Sequence, residues 1–120
     1  MHKFKWNIFP GHYTGRATHI HVVVTHTANE TKILPNGTIT GIHNSRSSHV
    51  ERIFFDQDLI SAIKKNAPYN TNTQELTKNS VDSILEAEAD TTDPFVEYVY
   101  LGKDASDGIF AWISIRVNAA

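Results

Sequence analysis

Pro10-Gly-His-Tyr-Thr-Gly-Arg-Ala-Thr-His-Ile-His21 runs without a break into Val22-Val-Val24. Pro10-Gly11 reads as a turn, and Ile20–Val24 reads as a strand whose β-branched residues suit a pleated, half-buried surface. Side chains alternate across a strand, so His19 and His21 fall on one face while Ile20, Val22 and Val24 take the other. Same-face neighbours lie roughly 6.5–7 Å apart at the backbone, and two imidazoles leaning together from that spacing can share one ion at about 2.0–2.1 Å. The loop before the strand brings in Tyr13 and Arg16, both costly to place near a core without a partner. Two readings are open at this point. One is a metal site built from a phenol and two imidazoles; the other is an edge strand whose solvent face carries polar residues.

Working outward, the chain reads mostly as short strands. Lys3–Ile8 alternates Phe4, Trp6 and Ile8 against Lys3, Lys5 and Asn7, the period of a half-buried strand. The histidine strand spans Thr18–Thr27. Leu34-Pro-Asn-Gly37 is a turn, the strand Thr38–Ile42 follows, Ser45–Ser48 is loop, and Val50–Phe55 is a further strand. Asp58 is expected to cap a short helix over Asp58–Asn66 that buries Leu59, Ile60 and Ile63. Pro68–Thr73 is irregular and polar, and Ser80–Ala89 places Val81, Ile84 and Leu85 at helical spacing. Phe95–Leu101 and Ile109–Val117 form a closing hairpin about the turn Lys103–Gly108. Its residues Phe95, Val99, Leu101, Ile109, Ala111, Ile113 and Ile115 are expected to face an opposite sheet, with Tyr98, Tyr100 and Trp112 as core or rim aromatics. This pattern predicts an all-β fold, an antiparallel immunoglobulin-like β-sandwich with one or two short helices in its connections.

Composition bounds the function. The 120 residues, 40% hydrophobic and 10% aromatic, suit a single domain over 1–120 with a real core. A net charge of −2 with interspersed signs argues against broad nucleic-acid or membrane-surface binding, and no run approaches the roughly 18 apolar residues of a membrane span. With no cysteine, disulfides and thiolate metal sites are excluded. The start, Met1-His-Lys-Phe-Lys-Trp6, lacks the apolar segment of a secretory signal, yet Asn29-Glu-Thr31 and Asn36-Gly-Thr38 are both glycosylation sequons. His12, His26, His43 and His49 are expected on the surface, with a second, weaker metal site at His43 and His49 as the alternative. His2 beside the amino terminus could chelate copper or nickel adventitiously.

The opening motif, Pro-Gly-X-Tyr followed by Arg-X-X-His-X-His and an apolar strand, resembles the intradiol ring-cleavage dioxygenases of the catechol and protocatechuate type, most closely their secreted fungal branch. The resemblance continues through Phe54–Ile60, Pro68–Thr73, Asp93–Gly102 and Asp107–Ile113, in that order. It implies that Tyr13, His19 and His21 are ligands of Fe(3+), that Tyr13 and Arg16 are catalytic with Arg16 beside the substrate, and that the substrates are a catechol-like ring and dioxygen. The product would be a muconate-type diacid, and the protein would be secreted. It also implies a chain shortened at its N-terminus, since the family takes a second tyrosine ligand from an upstream segment and Met1–Phe9 contains none. Arg52 stands where the family places a glutamine near the substrate, and Ile42–His49 is longer and more polar than the corresponding connection. Two alternatives to catalysis therefore remain: a metal-binding β-sandwich without turnover, and a scaffold presenting the 42–52 loop. The loss of upstream strands would leave an open sheet edge, from which a homodimer or higher oligomer is expected and which light scattering would read.

Overall fold

Ile53-Phe-Phe55 is the most buried tripeptide of the central chain, with Phe54 fully enclosed, and the surrounding structure is arranged to cover it. The computed structural model describes residues 8–25, 32–40 and 47–116. Among the described residues, six strands and two short α-helices follow in the order β1 (His19–Thr25), β2 (Lys32–Ile33), β3 (Ile39–Thr40), β4 (Ser47–Phe54), α1 (Gln57–Lys64), α2 (Ser83–Ala89), β5 (Glu97–Tyr100) and β6 (Ile109–Trp112). β1 pairs with β4, β2 with β3, and β5 with β6. The architecture is the expected all-β one, strands joined by turns with two short helices in the connections. Among the described residues, no helix is long and apolar enough to cross a membrane. The predicted strand over Lys3–Ile8 lies almost wholly outside the described residues.

The chain packs as two compact units, one holding the residues up to Ile20 together with Ile53–Ile113, the other His21–Arg52 and the residues from Ser114. In the first, Phe54 sits with Ala17 and Leu85, and Phe95 packs against this cluster. The backbone of Phe54 is tied on both sides, its N–H donating to Pro94 O at 2.8 Å and its carbonyl accepting from Val96 N at 3.0 Å. Phe9 packs against Phe55 with ring centroids 4.5 Å apart and planes tilted by 52°, and meets Tyr69 edge-on at 6.1 Å. In the second unit, Leu34–Thr38 turns the chain between β2 and β3.

Both helices exist because an aspartate starts them. Asp56, and not the predicted Asp58, caps α1, its side chain accepting from Leu59 N at 2.7 Å. Asp58 lies inside the first turn, where a carboxylate complements the helix dipole but leaves no side chain at the cap. α1 buries Leu59, Ile60 and Ile63 as the periodicity requires. α2 begins only at Ser83, after a 3-10 turn over Asn79–Val81. Of the three apolar residues read at helical spacing only Leu85 is buried, while Val81 precedes the helix and is 71% exposed. In the closing hairpin Ile109, Ala111, Ile113 and Ile115 are half-buried as expected, whereas β5 takes the opposite phase. Glu97 pairs with Trp112 and Tyr98 with Ala111, so Val96 and Tyr98 share the covered side while Val99, Leu101, Phe110 and Trp112 point outward. A shift of one residue reverses every side chain of a strand, and Val96 wins the buried place because it follows Phe95 in the ladder to Phe54. β4 begins at Ser47, two residues into the stretch read as loop.

Candidate functional site

The loop Pro10–Thr18 is held in place one residue at a time by a single distant segment, Asn72–Asp82. Asn72 Nδ2 donates to the His12 carbonyl at 2.9 Å. Thr14 Oγ1 donates to Gln74 Oε1 at 3.1 Å and accepts from Glu75 N at 3.2 Å. Gly15 N donates to Thr77 Oγ1 at 2.8 Å. Gly15 has φ +94, a conformation that a side chain would strain, and it lets the chain reverse between Tyr13 and Arg16, which form a bridge across the tip.

Asp82 is the strongest of these anchors. Its Oδ2 accepts from Arg16 Nε at 3.0 Å and Ala17 N at 2.7 Å, while Oδ1 caps α2 through Ile84 N at 2.9 Å and Leu85 N at 3.2 Å. One buried carboxylate thus joins the loop to a helix start. Burial pushes the Asp82 carboxyl up, but hydrogen bonds from Ala17, Arg16, Leu85 and Ile84 outweigh it and hold the group below its ordinary value of 3.8. Arg16, expected beside a substrate, therefore has Nε committed to Asp82, and its Nη2 is buried without a hydrogen-bond partner.

His12 corrects the expectation of a surface histidine: it is 8% exposed. His12 Nε2 lies 2.8 Å from Gln74 O, and Nδ1 lies 3.3 Å from Asn72 Nδ2. The Lys64 ammonium lies 3.0 Å from Nε2. A crevice of about 10 Å³, lined in part by His12, Lys64, Ile60 and Tyr69, is no larger than a single water requires. A shallow hollow of about 520 Å³ is lined by Ala89–Phe95 and includes none of the predicted site residues. His26 and His43 lie outside the described residues, as does His2, and the side chain of His49 is likewise not described. The second metal site proposed for His43 and His49 falls there too.

Two of the predicted ligands are brought together. The ring of Tyr13 meets that of His19 with centroids 6.1 Å apart at 66°. His19 Nδ1 lies 2.7 Å from Ala17 O, so Nδ1 carries the proton and Nε2 carries the lone pair. The opposite side of the ring rests on Phe54, centroids 5.6 Å apart. A hydrogen bond from the far nitrogen to a backbone carbonyl is the device that fixes tautomer and direction in histidines that bind metals. Tyr13 is half exposed, and its hydroxyl makes no hydrogen bond among the described residues. His21 follows on β1, exposed, with the alternation the sequence predicted, and Arg52 is half-buried on β4. Groups of three or more His, Asp or Glu side chains able to hold a metal are absent among the described residues, so a three-ligand centre here would need the phenol of Tyr13.

No family model matches the sequence, and no curated protein matches it. Among solved structures, an intradiol ring-cleavage dioxygenase from Tetranychus urticae matches with a TM-score of 0.61 and 23% identity. The likeness is one of fold. It covers 92% of this chain and 45% of that one, so the chain spans less than half of its structural neighbour.

Sequence reasoning missed His12, Asn72, Gln74, Thr77 and Asp82. The signal was present in part: the stretch Asn70–Lys78 is dense in Asn, Thr and Gln yet carries no strand or helix pattern. Its side chains serve as hydrogen-bond partners for another loop.

Proposed function

We propose that this chain is a non-haem ferric intradiol dioxygenase core, in which Tyr13, His19 and His21 hold Fe(3+) and a catechol-type ring is opened by dioxygen to a muconate-type diacid. The observation that carries the reading is the Tyr13–His19 pair, with the His19 tautomer set by Ala17 O so that Nε2 has the lone pair a metal needs. The resemblance of the motif and the fold likeness to a dioxygenase support it. A phenolate with imidazoles suits ferric iron. Bound iron would act as Lewis acid and as template for the two catecholate oxygens.

The chain's own residues have distinct tasks in this reading. Tyr13 would supply a phenolate oxygen to the ion. Phe54 and the Ala17 carbonyl keep the His19 ring from turning. Arg16 supplies a permanent positive charge for anionic character developing on the ring, and Asp82 fixes its Nε. Arg52, where the family has a glutamine, would add a second fixed charge next to the substrate.

A second reading, a metal-binding protein without turnover, is favoured by one specific observation: Arg16 Nε is already committed to Asp82. Ferric loading separates the readings. Phenolate-to-ferric charge transfer should give a visible band that Tyr13→Phe abolishes, and oxygen uptake with catechol should accompany it. A band without uptake selects the binding protein. A colourless protein that ferric iron does not stabilise against heat ends both readings and leaves the scaffold.

A further inference from the structure

The sequon Asn36-Gly37-Thr38 occupies the tip of the β2–β3 hairpin, in a geometry that leaves its reactive groups uncommitted. The turn is closed by Leu34 N donating to Thr38 O at 2.8 Å and Gly37 N donating to Leu34 O at 2.8 Å. Asn36 Oδ1 accepts from Thr38 N at 3.0 Å. That bond uses the amide oxygen and leaves the amide nitrogen facing outward, and neither Asn36 Nδ2 nor Thr38 Oγ1 has a partner among the described residues. Every residue from Lys32 to Thr40 is exposed. Gly37 has φ +83 with open space around it, so nothing crowds the tip.

The same hairpin carries an apolar surface that no described residue covers. Ile33 and Ile39 are cross-strand partners, 75% and 51% exposed, and Leu34 beside them is 41% exposed. Three bare aliphatic side chains on a two-stranded ribbon form a site for unwanted association. A bulky, hydrated group at Asn36 would sit on the same short hairpin as these side chains.

We propose that Asn36 is an acceptor for an N-linked glycan, and that the glycan shields Ile33, Leu34 and Ile39. The donor is a lipid pyrophosphate-linked oligosaccharide. The Asn36 amide nitrogen forms a bond to the anomeric carbon, the carbon–oxygen bond to pyrophosphate breaks, the lipid pyrophosphate leaves with the electron pair, and the amide gives up one proton. The transfer needs no contribution from the Tyr13–His19 site and stands or falls independently of it.

The test is expression of the whole chain behind a cleavable secretion leader in yeast, with Asn29→Gln as background so that any glycan reports on Asn36. The secreted protein should migrate as a larger species that an amidase specific for N-glycans collapses, converting Asn36 to Asp in the mass spectrum. Thr38→Ser should keep the modification and Thr38→Ala should lose it. Secreted protein with an unmodified Asn36 overturns the proposal. The shielding half is read on the native fold, by comparing the glycosylated protein with the same preparation after enzymatic removal. Stripping should lower the concentration at which light scattering rises at least several-fold, and an unchanged threshold overturns that half.

Discussion

Two turns of this chain are closed by opposite means. Leu34–Thr38 closes on itself, with two backbone hydrogen bonds and one from its own asparagine. The turn Tyr13–Arg16 has its own bridge but is tied down besides by Gln74, Thr77 and Asp82, sixty or more positions along the chain. A local turn needs only the right few residues and is assembled as soon as they meet. A distant clamp must first meet the entropy of closing a long loop, and several bonds act together to offset it. The distant clamp is also the one beside the candidate site, where a phenol proposed as a ligand would have to be held still, as a solvent-facing hairpin need not be.

The largest expected effect breaks the clamp. Asp82→Ala removes the α2 cap, leaves the buried Ala17 N–H unsatisfied and strands a largely buried Arg16, which should lower stability by about 3 kcal/mol. Equilibrium unfolding in urea measures it, and a loss below about 1 kcal/mol would mean that the loop holds itself. Asp82→Asn keeps one oxygen acceptor and should recover part of the loss while changing the acid response. Because the folded carboxyl titrates below its ordinary 3.8, its stabilising contribution is present above that value and disappears as pH falls through the lower folded one. The thermal midpoint of Asp82→Asn should therefore decline less than that of the parent over that acidic range.

The contrast between the turns also explains what could be read in advance. Pro35-Asn36-Gly37 announces its turn because the residues that need the unusual backbone and those that supply it are adjacent. The His19-Ile-His21 strand was equally legible from its alternation, as were the buried residues of α1. The clamp was not, since nothing near Thr14 or Gly15 states that Gln74 and Thr77 will reach them. The phase of β5 failed for a related reason: Val96 and Val99 are both plausible core residues, and only the ladder of Phe54 with Pro94 and Val96 decides between them. The choice of Asp58 over Asp56 as helix cap failed because two aspartates two apart both satisfy the cap pattern, and the backbone of the preceding strand selects the first.

A smaller effect sharpens the comparison from the other side. Gly37 has φ +83 and an added Cβ would meet no atom within 4 Å. Gly37→Ala therefore isolates the backbone cost, about 1 to 2 kcal/mol, confined to a hairpin whose side chains are exposed. Hydrogen exchange should show faster opening at Leu34 and Thr38 with unchanged protection at Phe54 and Val96. If protection at Phe54 falls in step, the hairpin is coupled to the core and the two turns are not independent.

The smallest effect concerns the half-buried phenol of Tyr98 on β5, which lies in the field of Asp56, the cap of α1. Burial, the hydrogen bond to Asp56 and the nearby negative charges of Asp56, Tyr100 and Asp58 push the Tyr98 phenol up from 10.0 to about 12. A raised value means that the neutral phenol stabilises the fold below about pH 10 and that this support is lost as pH rises through 12. Tyr98→Phe keeps the ring and should cost less than about 1 kcal/mol at neutral pH. Its distinguishing mark lies in alkali: the parent should lose thermal stability more steeply than the variant between pH 10 and 12. Parallel curves would mean that the phenol ionises as readily folded as unfolded. A lone buried phenol would then hold far less than the clamp from Asn72 to Asp82, whose several hydrogen bonds would be what steadies Tyr13.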